Sequence, residues 1–407
     1  MKKNFFRSYE FRLIVFFFLT WGFVFLSRSS LGYLLPTMVE DFDLNNSLIG
    51  QANMWQTIGF AISAPLIGAL SDKTGYRKRI LVFAVLATGI FTVLSALAPT
   101  FWLLVVIRFL VGASLGPIFP LIVAIMADSS GSKGIGRNVG IVNAGVSIIA
   151  NMLGPTLVTQ LVTFTNWQMT FVFIGIPSLL LALIIWKFTK EVNTKDTAAS
   201  EPEQSTSSYK DVLKYRNVKI GILLSVFCMS SLWILYSFGP LYLTEIGLLS
   251  TSRMGFSMSA MGVVGIAWVI LIPMISDYVG RKPTVIFFSA VAILAPLGLF
   301  LFPQTWVGIA ALIGVGGVIG SLPPIFMNIV PTESLPANLS ATASSLIMGL
   351  GELVGALVIG LSGTLADTFG LKVVMISGAV APLLMVFIAF GLIESNKQKK
   401  KQKTSSV

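Results

Sequence analysis

The stretch Gly68-Ala69-Leu70-Ser71-Asp72-Lys73-Thr74-Gly75-Tyr76-Arg77-Lys78-Arg79 decides the fold. It is charged and turn-forming, and it separates two long apolar runs. A membrane helix enters it and another leaves it. A second stretch, Ser276-Asp277-Tyr278-Val279-Gly280-Arg281-Lys282, echoes the pattern 205 residues later (277 − 72) in a chain of 407. Two such turns at that offset predict a membrane protein built from two related halves, with the function sought where the halves meet.

Composition agrees. Hydrophobic residues make up 55% of the chain and charged residues 11%, against about 25% charged in ordinary soluble proteins. Lipid, not water, is the expected solvent. The 28 Lys+Arg against 17 Asp+Glu give a formal net charge of +11. The cations concentrate in the N-terminus, alternate loops, a central polar stretch and the tail. This asymmetry predicts a multi-pass plasma-membrane protein with both termini in the cytoplasm. No basic patch with interleaved aromatics supports a nucleic-acid partner.

Histidine is absent and cysteine occurs once, as Cys228 in an apolar run. No internal disulfide forms, and the commonest general base and metal ligand are missing. No metal-ligand spacing, nucleophile elbow or phosphate loop is present. No metal, cofactor or enzymatic activity is expected. The first apolar run, about 25 residues, exceeds a signal-peptide core and reads as a retained anchor.

Twelve segments are long and apolar enough to span: 12–37, 47–71, 79–98, 102–128, 137–162, 167–188, 218–244, 254–276, 284–302, 304–328, 335–363 and 371–393. They group as an N-terminal six-helix bundle (1–188), a cytoplasmic linker (189–216), a C-terminal six-helix bundle (217–395) and a basic tail (396–407). The tail is an anchor beside anionic lipid. The 205-residue offset also carries Gly75 to Gly280, Arg77 to Lys282, and Asp128, at one inner helix end, to Glu333, at another.

The six-plus-six layout, Gly68-x-Leu70-x-Asp72-x-x-Gly75-x-Arg77-Lys78, Arg108-x-x-x-Gly112-x-x-x-Gly116 and Gly154-Pro155 resemble the major facilitator superfamily over essentially the whole chain. The resemblance implies an all-α membrane protein of twelve transmembrane helices in two pseudo-symmetric six-helix bundles. It also implies a transporter of small molecules that acts as a monomer. In that family the charged turn is a conformational latch. Here the latch candidates are Asp72, Gly75, Arg77 and Asp128 in one half, and Asp277, Arg281, Lys282 and Glu333 in the other. Arg77 is expected to pair with Asp128, and Arg281 or Lys282 with Glu333.

Arg28, Arg108 and Glu352 are the ionisable side chains well inside the spans. Each costs at least about 2.5–3.5 kcal/mol at a helix centre and is kept for a reason. Arg28, flanked by Ser27, Ser29 and Ser30, offers a planar fork for a carboxylate or phosphate. A buried arginine satisfied by carbonyls, or a structural ion pair, is the alternative. Arg108 is open to three roles: second anion contact, partner of a proton-binding site, or scaffold bonded to helix 1 carbonyls. Glu352, among Gly349, Gly351 and Gly355, is the proton-coupling candidate, because burial favours a neutral carboxylic acid. Pairing with an arginine as a gate and structural hydrogen bonding are its alternatives.

The offset sends Arg28 to Trp233 and Glu352 back to Ser147. The expected cavity is lined by helices 1, 5, 7 and 11. Its further polar and aromatic contacts are Tyr33, Trp55, Gln56, Asn143, Asn151, Tyr236 and Ser237, each of which packing alone also accounts for.

Ser27-Arg28 with Pro36, then Arg108-x-x-x-Gly112 and Pro117-x-Phe119-Pro120, resemble the anion:cation symporter branch. That likeness implies transport of an organic anion, such as a sugar acid or aromatic acid, with protons as coupling ion. Two carboxylates usual in the branch are Ser27 and Leu115 here. Coupling then falls to Glu352, or the protein is not a conventional proton symporter. A drug or metabolite efflux antiporter is one alternative, disfavoured by the short Gly154-Pro155 motif. An organic-phosphate exchanger is another, disfavoured by Trp233 where a second base is expected.

Overall fold

In lipid a backbone finds no partner but itself, so an apolar run of spanning length folds as a helix. The structure, a computed structural model, describes residues 9–129, 134–191 and 209–396. It contains twelve helices long and apolar enough to cross a membrane. In the first half these are α1 (Tyr9–Phe42), α2 (Asn46–Thr74), α3 (Arg77–Leu97), α4 (Phe101–Asp128), α5 (Ile135–Phe164) and α6 (Trp167–Phe188). In the second they are α7 (Arg216–Glu245), α8 (Thr251–Val279), α9 (Arg281–Leu301), α10 (Trp306–Ser334), α11 (Ala337–Phe369) and α12 (Lys372–Ala389). The expected linker lies outside the described residues from 192 to 208, and the expected tail from 397 onward.

The helices run past the apolar segments that announce them. α1 has 34 residues, about 50 Å at 1.5 Å per residue, whereas the hydrocarbon core is about 30 Å thick. Its polar ends therefore continue into the interfacial layers. Two helices are locally underwound and widened. α5 carries a π-helical stretch, Val146–Leu153, just before Gly154-Pro155. Pro155 has no N–H to return to the preceding turn, and the helix widens to accommodate the loss. α10 carries another, Pro324–Ile329, behind Pro323 and Pro324.

The described residues form two compact units. One takes residues 9–44, 51–191 and 250–259, and the other takes 45–50, 209–249 and 260–396. The first unit buries Leu13, Phe17 and Trp21 of α1 with Leu81 and Val85 of α3 and Ile122 of α4. The second buries Leu224 and Cys228 of α7 with Phe288 of α9, Phe326 of α10, Ile347 of α11 and Met385 of α12. Large apolar side chains such as Phe83, Leu183, Trp186, Phe287, Leu361 and Phe387 stay exposed. In a membrane protein that face meets lipid, so helix association rests on close packing, not on removal of apolar surface from water.

Candidate functional site

Arg28 sits a little past the middle of α1 and is 3% exposed. Its guanidinium lies 4.4 Å from the centre of the Phe60 ring and 5.6 Å from that of Phe25. Nη2 donates to Thr57 Oγ1 at 3.4 Å. The backbone is held as well: Gln56 Nε2 donates to Arg28 O at 3.0 Å. The other end of that amide, Gln56 Oε1, is buried without a hydrogen-bond partner. Aromatic faces attract the cation while leaving its planar edge for a polar group.

Arg108 of α4 is fully buried, with its guanidinium 4.0 Å from the Phe171 ring centre. Nη1 donates to Ser27 O at 2.9 Å, the carbonyl contact anticipated for a scaffold. Nε and Nη2 are buried and unpartnered. One edge of the guanidinium thus ties α4 to the residue before Arg28, and the other has hydrogen-bonding capacity to spare.

The glycines that follow Arg108 explain how α4 comes so near. A Cβ at Gly112 would collide with the backbone of Gln56, and one at Gly116 with Ser63 Oγ and Phe60 O. The motif is a small-residue face that lets α4 meet α2 backbone to backbone. Gly112→Ala is expected to push α2 outward and cost about 1–3 kcal/mol, the usual penalty of overpacking. It should lower the temperature at which purified protein loses its monodisperse peak. Gly136→Ala, with nothing within 4 Å of an added Cβ, should leave that temperature unchanged.

In the second unit Glu352 is 7% exposed. Its Oε2 accepts from Trp233 Nε1 at 3.0 Å. Glycines again make the approach possible: Gly351 leaves room for Ser225 and Gly355 for Met229. Trp233, reached from Arg28 by the repeat, and Glu352 therefore belong to one cluster. Among the other expected contacts, Tyr33 is buried, Tyr236 and Ser147 are half-buried, and Trp55 and Asn143 are exposed. Asn143 Oδ1 accepts from Trp21 Nε1 at 3.2 Å. Ser147 lies in the π-helical stretch of α5.

The charged turns are built alike. Gly75 and Gly280 have φ of 75° and 114°, a left-handed conformation that a side chain resists. Each glycine turns the chain from one helix into the next. Arg77 Nη1 bonds Asp128 Oδ1 and Oδ2 at 2.8 and 2.7 Å. Arg281 makes a fork with Glu333, Nε to Oε2 at 3.2 Å and Nη2 to Oε1 at 2.9 Å. Its Nη1 also reaches Asp277 Oδ1 at 2.6 Å.

Lys282, the offset partner of Arg77, instead donates Nζ to Phe390 O at 2.7 Å. The second turn is one residue shorter: α3 begins two residues after Gly75, and α9 begins directly after Gly280. Arg281 therefore takes the place of Arg77. Asp72 is helical in α2, and its side chain lies outside the described residues.

Two carboxylates went unnoticed in the sequence. Glu191 Oε1 accepts from the backbone of Lys78 at 3.1 Å, and Glu394 accepts from the backbones of Arg281 and Lys282 at 2.8 and 3.0 Å. Each caps the start of a helix, where free N–H groups and the dipole favour an anion. They stand 203 residues apart (394 − 191), close to the repeat offset, and each follows the last apolar run of its half. That spacing was the available signal.

A chain of twelve membrane-crossing helices, with repeated charged turns and buried ionisable residues in both units, has the architecture of a polytopic transporter. Residues 17–358 match the Major Facilitator Superfamily, and the chain belongs to that superfamily: it is a multi-pass membrane transporter and not an enzyme. It is 25% identical over 387 residues to a probable 4-methylmuconolactone transporter of Cupriavidus pinatubonensis, covering 92% of this chain and 87% of that one. It is also 25% identical over 360 residues to the gentisate transporter of Corynebacterium glutamicum, covering 83% and 78%. Among solved structures it resembles a bacterial homologue of the human lysosomal transporter Spinster, in an inward-facing and occupied conformation. The TM-score is 0.78 at 17% identity, covering 94% of this chain and 96% of that one, a likeness of fold alone.

Proposed function

We propose that this chain is a secondary active transporter for a small organic anion, a carboxylate such as an aromatic or sugar acid, driven by protons through alternating access. The single observation that carries the reading is Arg28: a permanent cation buried in a membrane helix, with its backbone pinned by Gln56 and its ring neighbours shaping the approach. Gentisate, for which one relative is named, is an aromatic carboxylate of the size such a group binds. Arg28 binds the anion, and Tyr33, Trp55, Gln56, Asn143 and Ser147 of the same unit shape its surroundings. Arg108 orients the Arg28 segment through Ser27 O. The ion pairs at the charged turns form in one conformational state and break in the other. The Lys/Arg asymmetry of the loops supports a plasma-membrane protein with both termini in the cytoplasm.

Purified protein in liposomes, offered labelled gentisate or glucuronate with and without an inward proton gradient, tests the reading. Saturable uptake of at least one acid, accelerated several-fold by the gradient, is the expected result. Uptake of a lipophilic cation or a sugar phosphate in place of both acids would sink it.

Glu352 is the proposed proton carrier. Glu352→Gln keeps the shape and a hydrogen-bond acceptor for Trp233 but cannot give up a proton. It is expected to abolish stimulation by the gradient while acid counterflow continues. Undiminished stimulation in the variant would remove Glu352 from the coupling step.

A further inference from the structure

We propose that Asp367 is a positioning residue of the transport cycle: it latches the first turn of α2 to the end of α11, and the latch opens and closes once per turnover. The inference rests on the alternating-access reading. The starting point is the backbone of α2. A helix begins with N–H groups that have no partner within it. Asn45 caps one of them, with Oδ1 accepting from Leu48 N at 2.9 Å. Asp367 takes the two before it: Oδ1 accepts from Asn46 N at 2.8 Å and Oδ2 from Ser47 N at 2.9 Å. Both oxygens of one carboxylate are thus spent on a helix 321 and 320 residues away in sequence. Ser47 Oγ and Thr364 Oγ1 add a contact at 3.3 Å.

The backbones around this cap are also shaped for contact. A Cβ on Gly363 would collide with Asn46 O, and one on Gly50 would stand 2.8 Å from Ile359 O. The repeat builds the same small-residue contact a second time. Gly50 maps to Gly255 and Thr364 to Thr159, and a Cβ on Gly255 would collide with Thr159 Oγ1. There the polar groups are neutral: Thr156 Oγ1 bonds Ser259 Oγ at 2.7 Å, and Thr156 N donates to the same hydroxyl at 3.0 Å. Asp367 itself maps to Val162.

Packing explains the glycines in both copies. It does not explain a carboxylate added to one of them. Asp367 is exposed, so water competes for its hydrogen bonds and the latch releases readily. The proposed topology puts it on the outer face, opposite the charged turns. The chain then carries a polar lock at each end of its path: ion pairs at the turns, and a carboxylate on a helix terminus at the outer end.

Ser47→Cys/Thr364→Cys tests the latch in liposomes, because the two side-chain oxygens are close enough for their sulfur replacements to bridge. The native Cys228 is buried and stays silent. With Asp367 present, copper phenanthroline is expected to cross-link the pair nearly completely. Cross-linking should cut gentisate uptake at least tenfold, and reductant should restore it. Adding Asp367→Ala is expected to slow cross-linking at least threefold and raise labelling by a membrane-impermeant maleimide at least threefold. Asp367→Glu should restore both values.

Cross-linking and labelling that ignore Asp367→Ala would overturn the proposal, as would full uptake by the oxidised protein. Both labelling readouts need no substrate. A failure to carry gentisate in every variant would therefore count against the functional reading and leave the latch to be judged on cross-linking alone.

Discussion

Arg28→Ala is expected to lower the initial rate of gentisate uptake at least a hundredfold, and Arg28→Lys at least tenfold although it keeps the charge. A carboxylate held by the planar fork receives two charge-assisted hydrogen bonds, each contributing about 1.5–3 kcal/mol. Losing both removes about 3 kcal/mol or more, which is a factor of about a hundred or greater at 1.4 kcal/mol per tenfold. Lysine presents a compact, strongly hydrated ammonium that cannot make the fork and lacks the flat face that lies against Phe60. Neither variant should unfold the protein: Arg28→Ala removes a membrane-buried cation and so relieves a cost, and Arg28→Lys leaves the charge where the fold already holds one. Uptake by reconstituted protein, normalised to the monodisperse fraction from size exclusion, is the measurement. A lysine variant within twofold of the parent would show that charge alone suffices and that no fork is used.

The helices were legible because lipid leaves the backbone so few choices. Hydropathy located all twelve, and only their ends shifted, where α1 and its neighbours outrun the hydrocarbon. The turns were legible from glycine and charge. The pairing of Arg281 with Glu333 was half legible: a repeat read in sequence carries no knowledge that α9 starts a residue early. Glu352 and Trp233 illustrate the same limit. The offset linked Trp233 to Arg28, yet its indole N–H goes to Glu352, a contact set by how α7 and α11 pack around Gly351 and Gly355. Glu191, Glu394 and Asp367 are the least legible in the sequence. Each sits at a helix end, where a charge normally needs no explanation. Their partners are backbone N–H groups, which leave no mark on side-chain chemistry.

The other large effect concerns stability. Glu333→Ala is expected to destabilise the protein far more than Asp128→Ala, although the two carboxylates are repeat partners. Arg281 and Glu333 side chains are each 7% exposed, against 21% and 18% for Arg77 and Asp128. Removing one member of a buried pair leaves the other charge uncompensated, at a cost of about 3–5 kcal/mol. Asp277 still faces Arg281 but is 61% exposed, so it offsets only part of that cost. The loss also strands Ser395, whose Oγ donates to Glu333 Oε2 at 2.6 Å. Arg77 is near enough to solvent to rehydrate once Asp128 is gone, and its pair is worth closer to the roughly 1 kcal/mol upper range of exposed ion pairs. Thermal unfolding of detergent-solubilised variants separates the two: a large drop for Glu333→Ala and a small one for Asp128→Ala. The double change Arg281→Met/Glu333→Leu should recover most of the lost stability, because an apolar pair of similar bulk carries no desolvation cost. If that double variant is as stable as the parent yet transports slowly, the ion pair serves the conformational cycle and not the fold. If it transports at the parent rate, the second charged turn is no latch.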